Sequence, residues 1–169
     1  VGNPARISGY IGVSQKAVLP ADGFLSDSKS KIVAGNATVS SLTQATDMRG
    51  SLAAIEFASQ CPFTPKRLFF VYGVPSTQVR GEHAHFQCHQ FLIAVAGFVS
   101  VSVDDGKDRD SIILDSPNLG LYIPPLTWGS QYQFSSDAVL LVLASHEYDD
   151  ADYIRDYSKY LEVVANSPR

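Results

Sequence analysis

The alternation of apolar and polar positions predicts a protein built from short strands. Arg67-Leu68-Phe69-Phe70-Val71-Tyr72 is rich in aromatic and β-branched residues and stops at Gly73, as strands do. Residues 91–96 are an unbroken apolar run, the pattern of a strand buried on both faces. Val99, Val101 and Val103 then alternate with Ser100, Ser102 and Asp104, which marks a half-exposed strand, and Asp105-Gly106 supplies a hairpin turn. Residues 111–114 read as the return strand. Further strands are expected over 120–123, 131–134 and 138–144, and 32–48 alternates weakly enough for one or two more. Short strands at such regular spacing indicate a sandwich or barrel. From about Asp150 the period changes. Ile154, Tyr157, Leu161 and Val164 recur at three- or four-residue steps, predicting one amphipathic helix with Asp149 and Asp150 as candidate caps. Residues 22–31 are polar and Ser-rich and read as a linker.

The chain has 169 residues, enough for one well-buried core. Its net charge of −4 argues against a nucleic-acid-binding surface, which needs a basic patch. The absence of a long apolar run argues against a membrane span, and Val1-Gly2-Asn3-Pro4 lacks the features of a signal peptide. Cys61 and Cys88 make neither a disulfide framework nor a zinc-knuckle pattern, so a reducing cytoplasm is expected. Between Cys61 and Gln90 the charges are Lys66, Arg67, Arg80 and Glu82, a locally cationic stretch suited to an anionic small molecule.

Histidine is concentrated in the same stretch: His83, His85 and His89 lie within seven residues. Residues two apart on an extended chain face one side, so His83 and His85 project into one space. Gln87 and His89 join them if the strand runs on. Convergent imidazoles suit either metal binding or proton transfer. A metal-binding cupin places a further histidine after the Gly and Pro of a later strand. In Gly120-Leu121-Tyr122-Ile123-Pro124-Pro125-Leu126-Thr127-Trp128-Gly129 that place is held by Trp128, and an indole is a donor only. Three histidines, His83, His85 and His89, still suffice for a metal, but metal-free proton transfer is the favoured reading. Imidazole titrates near pH ~6.5 and both takes and returns protons at neutrality. That chemistry suits isomerisation beside a carbonyl through an enediolate. Arg80 or a tyrosine hydroxyl would steady the transient oxyanion.

From Lys66 onward the ordered motifs are Lys66-Arg67, Val74-Pro75, Arg80-Gly81-Glu82-His83-Ala84-His85, Cys88-His89-Gln90, Pro124-Pro125-Leu126-Thr127-Trp128-Gly129, Ala144-Ser145-His146 and Asp152-Tyr153-Ile154-Arg155-Asp156-Tyr157. With them the chain resembles the sugar 3,4-ketoisomerases that act on dTDP-4-keto-6-deoxyglucose. The resemblance implies an all-β, cupin-type jelly-roll barrel with a C-terminal α-helix. It also implies a homodimer that exchanges strands, and no metal or organic cofactor. The implied reaction converts the 4-keto sugar to a dTDP-3-keto-6-deoxyhexose, ahead of amino-sugar synthesis for bacterial surface glycans. Carried over by motif, His85 is the first choice for the base, His83 the second shuttle and Tyr72 a proton relay. Arg80, Arg67 and Gln87 would bind substrate, and Trp128 and Tyr132 would line the pocket. Phe86 departs from the family, many members of which carry Lys there. A metal-dependent cupin enzyme, a dTDP-sugar 3,5-epimerase and a non-catalytic sugar-nucleotide binder stand as alternatives. Finally, Val1-Gly2-Asn3-Pro4-Ala5-Arg6-Ile7 resembles the closing coil of left-handed β-helix acyltransferases. That implies an N-terminal segment over 1–31, a ketoisomerase domain over 32–169, and a fused or associated acetyltransferase.

Overall fold

The computed structural model describes residues 30–167, so the coil-like string at residues 1–7 lies outside them. Two antiparallel sheets face each other. One runs β1 (Ser30–Ile32), β2 (Thr38–Ser41), β10 (Leu119–Ile123), β7 (Gln90–Ala96), β12 (Val139–Ala144) and β5 (Arg67–Tyr72), in that spatial order. The other runs β13 (Tyr153–Ile154), β6 (Arg80–His85), β11 (Trp128–Tyr132), β8 (Val99–Asp104) and β9 (Arg109–Leu114). β3 (Thr43–Asp47) and β4 (Gly50–Ala54) form a separate, largely exposed hairpin. This is the expected jelly roll, with walls made of two facing sheets. β1 crosses the boundary expected at residue 31, because Ser30 and Lys31 pair with Ser40 and Val39 of β2.

The core fills the space between the sheets. Val99, Val101 and Val103 of β8 are fully buried and belong to one cluster with Leu92, Leu121 and Leu140 of the facing sheet. The other face of β8 is covered as well: Ser100 and Asp104 are buried. Asp104 tolerates this because Gly106 N, Arg109 and the Tyr157 hydroxyl all donate to its carboxylate. Burial alone would raise its pKa, and these donors outweigh it and hold the group below the usual value. Gly120 of β10 lies against the Phe91 ring, which a Cβ there would meet at 2.3 Å.

The tail divides differently from its apolar period. Asp149 caps a single 3-10 turn, Asp150–Asp152, by accepting from Ala151 N at 2.9 Å. β13 follows, and only then α1 (Tyr157–Asn166), capped by Asp156 through Lys159 N at 2.8 Å. Ile154 and Tyr160 share one buried cluster with Ala84, while Tyr157 and Leu161 of the expected stripe are partly exposed. The Tyr160 hydroxyl donates to Asp104 O at 2.6 Å and ties the helix to the sheet. No helix among the described residues is long and apolar enough to cross a membrane.

Candidate active site

A bulge aims the key side chains. Directly opposed residues of a ladder share a face. β6 opposes β11 as His83↔Gly129 and Arg80↔Gln131, with a register shift between Gly129 and Ser130. Gly81 (φ 80) and Glu82 (φ 53) take up the extra residue in the left-handed region. Glycine is required at 81, where a Cβ would meet Gly129 O at 2.8 Å. The bulge lets Arg80 share an inner face with His83 although they are three apart. Normal alternation then brings His85 to the same side, and Tyr153 joins it because β13 pairs Tyr153 with His85.

These residues converge on a cavity of about 310 Å³ between the sheets. Arg80, His83, Gln90, Gln131 and Tyr153 supply its polar wall, and Phe69, Val71 and Val142 its apolar one. The two imidazoles meet edge to face, 4.9 Å between centroids, and the Tyr153 ring lies 4.9 Å from His83 and 4.3 Å from His85. His83 Nδ1 is 2.9 Å from Gly81 O. A carbonyl only accepts, so Nδ1 carries the proton and Nε2 is left as a free base. His85 is deeper, 5% exposed. Its Nδ1–H donates to Asp152 Oδ2 at 2.9 Å, and its Nε2 accepts from the Gln90 amide at 3.2 Å. Asp152 also accepts from Gln87 N at 2.7 Å and Cys88 N at 3.1 Å, clamping the turn that follows β6.

Burial lowers both imidazole pKa values, that of His85 to about 4, where a protonated His83 would add repulsion and Asp152 opposes the shift only partly. Both rings are therefore neutral at pH 7. The linkage sign follows directly. Below the unfolded value near ~6.5 the unfolded chain takes up a proton that folded His85 refuses, so stability falls as pH drops from ~6.5 towards 4. The loss from His85 should be on the order of 3 kcal/mol. Urea midpoints at pH 7 and pH 4.5 should differ accordingly, and His85→Asn should flatten the difference. Equal midpoints in the wild type would refute the buried neutral imidazole.

The remaining sequence expectations divide. β6 ends at His85, so Gln87 sits exposed in the turn and does not reach the cavity. His89 departs too: its Nδ1 bonds the Tyr122 hydroxyl at 2.7 Å and its ring stands 5.9 Å from Phe63. The set His83, His85 and His89 is thus not assembled as metal ligands. Among the described residues the convergent donor set is His85, Cys88 and Asp152. β11 alternation turns Gly129 and Gln131 inward and Trp128 and Tyr132 outward. Trp128 packs on Tyr157 and Tyr160, and Tyr132 bonds Ser111 Oγ, both on a separate outer groove of about 690 Å³. Tyr72 is 71% exposed, ends β5 and lines the same cavity as His83. Arg67 faces inward, stacked between Phe69 and Tyr148, and its Nε is buried without a hydrogen-bond partner. Tyr153, Asp152 and Gln131 escaped the sequence reading. The tyrosine and aspartate lie within the motif Asp152-Tyr153-Ile154-Arg155-Asp156-Tyr157, and membership of that motif was their signal.

Comparison with known proteins covers the same stretch. The family model described as WxcM-like, C-terminal matches residues 35–165. A TDP-4-oxo-6-deoxy-alpha-D-glucose-3,4-oxoisomerase from Aneurinibacillus thermoaerophilus is 43% identical over 119 residues, 70% of this chain and 86% of that protein. A 3,4-ketoisomerase structure from Helicobacter canadensis is 38% identical with a TM-score of 0.74, covering 78% of this chain and 98% of that one. A mutant 3,4-ketoisomerase from Thermoanaerobacterium thermosaccharolyticum, solved with TDP-4-keto-6-deoxyglucose, is 35% identical with a TM-score of 0.75, covering 78% and 96%. With motifs, fold and cavity agreeing over one segment, the chain belongs to the WxcM-like, C-terminal family of TDP-sugar 3,4-ketoisomerases.

Proposed function

We propose that His83 is the base of a sugar-nucleotide 3,4-ketoisomerisation and that the His85–Asp152 pair is its partner in moving protons. The single observation that carries this is that His83 lines the cavity with Nδ1 committed to Gly81 O and Nε2 left as the basic nitrogen, while both nitrogens of His85 are already engaged. The order of the two histidines is therefore the reverse of the sequence expectation. The enzyme is an isomerase acting on a dTDP-sugar. The substrate proposed is dTDP-4-keto-6-deoxyglucose, the sugar held by the Thermoanaerobacterium relative.

In the reaction His83 Nε2 takes the proton from C3, and the C3–H electrons move to the C4 carbonyl oxygen, giving an enediolate. Gln90, Gln131 and Arg80 place donors on the cavity wall where that oxyanion develops. A proton returned to C4 and transfer of the O3 proton to O4 leave the ketone at C3 and a hydroxyl at C4, with no net oxidation. A low imidazole pKa keeps His83 unprotonated and ready at neutrality. Arg67 adds positive potential behind His85, and Tyr72 contributes at the mouth.

We extend the proposal to assembly and setting. Leu68 and Phe70 are half exposed on the outer face of edge strand β5, and the hairpin β3–β4 packs into neither main sheet. Both features support a homodimer that exchanges strands. Two unpaired, buried cysteines support a reducing cytoplasm. Resemblance at residues 1–7 supports association with an acetyltransferase.

Incubation with dTDP-4-keto-6-deoxyglucose in D2O should yield a 3-keto sugar bearing deuterium at C4, read by NMR. A product that keeps its C4 ketone and exchanges at C3 and C5 would mean an epimerase instead.

A further inference from the structure

Behind the cavity, three ligand-type atoms stand together: His85 Nδ1, Cys88 Sγ and Asp152 Oδ2, all within 4.8 Å of one another. None of them is the atom proposed to touch substrate. They come from the end of β6, the turn after it and the 3-10 turn before β13, so side-chain adjustment alone can close the set. His85 and Cys88 are 5% and 3% exposed, which sets this group apart from a solvated acidic patch. A nitrogen, a thiol and one carboxylate suit borderline-soft dications and disfavour calcium or magnesium, which want several oxygens.

The distances are close to what such an ion needs. Tetrahedral zinc sets its ligand atoms about 3.3–3.6 Å apart. His85 Nδ1 and Asp152 Oδ2, now 2.9 Å apart, must open by a few tenths of an ångström, and the sulfur must move in by about 1.5 Å at most. Outer contacts are close at hand: Ser145 Oγ lies 3.9 Å from the sulfur, and Gln90, beside the far ring nitrogen of His85, can accept from it once its amide flips.

We propose that His85, Cys88 and Asp152 form a site for a thiophilic divalent cation of the zinc class, and that its occupancy switches the isomerase off. The switch, though not the binding, rests on His85 belonging to the proton-transfer machinery. Bonds form from the ion to nitrogen, sulfur and oxygen, with water as fourth ligand. The His85 proton moves from Nδ1 to Nε2, where the Gln90 side chain must flip to present its carbonyl oxygen, the Cys88 thiol proton leaves to solvent, and nothing is oxidised or reduced. The His85–Asp152 hydrogen bond is thereby replaced by a metal bridge, and the ring can no longer relay a proton through Nδ1.

Chelator-treated protein titrated with cadmium should develop a thiolate-to-cadmium ultraviolet band that saturates at one equivalent. The band should persist in Cys61→Ser and vanish in Cys88→Ser and Cys88→Ala. Zinc should inhibit wild type and Cys61→Ser at the same concentration and Cys88→Ser only at a tenfold or higher one, with metal-free turnover of Cys88→Ser unchanged. A band that survives both Cys88 substitutions overturns the site. A normal band with undiminished turnover in zinc overturns the switch. If the wild type shows no isomerase activity at all, the functional reading fails, while the cadmium titration still decides the site.

Discussion

Replacing His83 with Asn is expected to lower turnover by about 10²–10⁴-fold, the usual contribution of a positioned base. Binding of TDP should change only a few-fold. Asn fills similar space and can still donate to Gly81 O, so the bulge and cavity should persist. What it lacks is a lone pair that accepts a proton at neutral pH. The cleanest reading is deuterium uptake at C4 in D2O, which should fall in step with turnover. His85→Asn is the necessary contrast. Its ring is buried, with both nitrogens engaged, so its loss should perturb stability as well as rate. If His83→Asn keeps more than a tenth of wild-type activity while His85→Asn is inert, the assignment reverts to the order the motif alone suggested.

The proposed reversal turns on something that spacing does not carry. Both histidines were visible from spacing, and alternation correctly sent them to one side of β6. Alternation does not say which ring a carboxylate will claim, and Asp152 lies 67 positions away from His85. Most strands of the two sheets were readable because their apolar runs are bounded by Gly, Pro and Asp-Gly turns, although β11, expected over 131–134, runs Trp128–Tyr132. Two kinds of element were not. Gly81 and Glu82 form a bulge whose signal is a backbone conformation, and period-2 reasoning across it would have set Arg80 on the wrong face. β13 was absorbed into the helix because Ile154 happens to stand at a helical step before Tyr157, Leu161 and Val164, although it is buried from a strand. Trp128 and Tyr132 were expected in the pocket on resemblance. The phase of β11, fixed by Gly129 opposite His83, sends them outward.

Asp152 offers the second large effect, and two substitutions divide its roles. Asp152→Ala removes the acceptor for His85 Nδ1–H, Gln87 N–H and Cys88 N–H at once. Each orphaned buried donor costs about 1–3 kcal/mol. The side chain is 14% exposed, so water replaces part of the loss, and a net destabilisation on the order of 3 kcal/mol is expected in urea titrations. The His85 ring should then swing, and a misplacement of about 1 Å costs about 10²-fold in turnover. Asp152→Asn separates fold from chemistry. Its amide oxygen, at the Oδ1 place, can keep the Gln87 N–H bond, whereas Cys88 N–H, which shares Oδ2 with His85, loses its acceptor, so only part of the stability should return. Its NH₂ group, however, would face His85 Nδ1 and drive that nitrogen to accept. The proton then moves to Nε2, where it meets the Gln90 amide, and Gln90 must flip. The expected outcome is a folded enzyme with turnover still down about 10²-fold and an imidazole tautomer reversed in ¹⁵N NMR spectra. Wild-type turnover together with a reversed tautomer would show that proton transfer runs through His83 alone and that the dyad is only a strut for the turn.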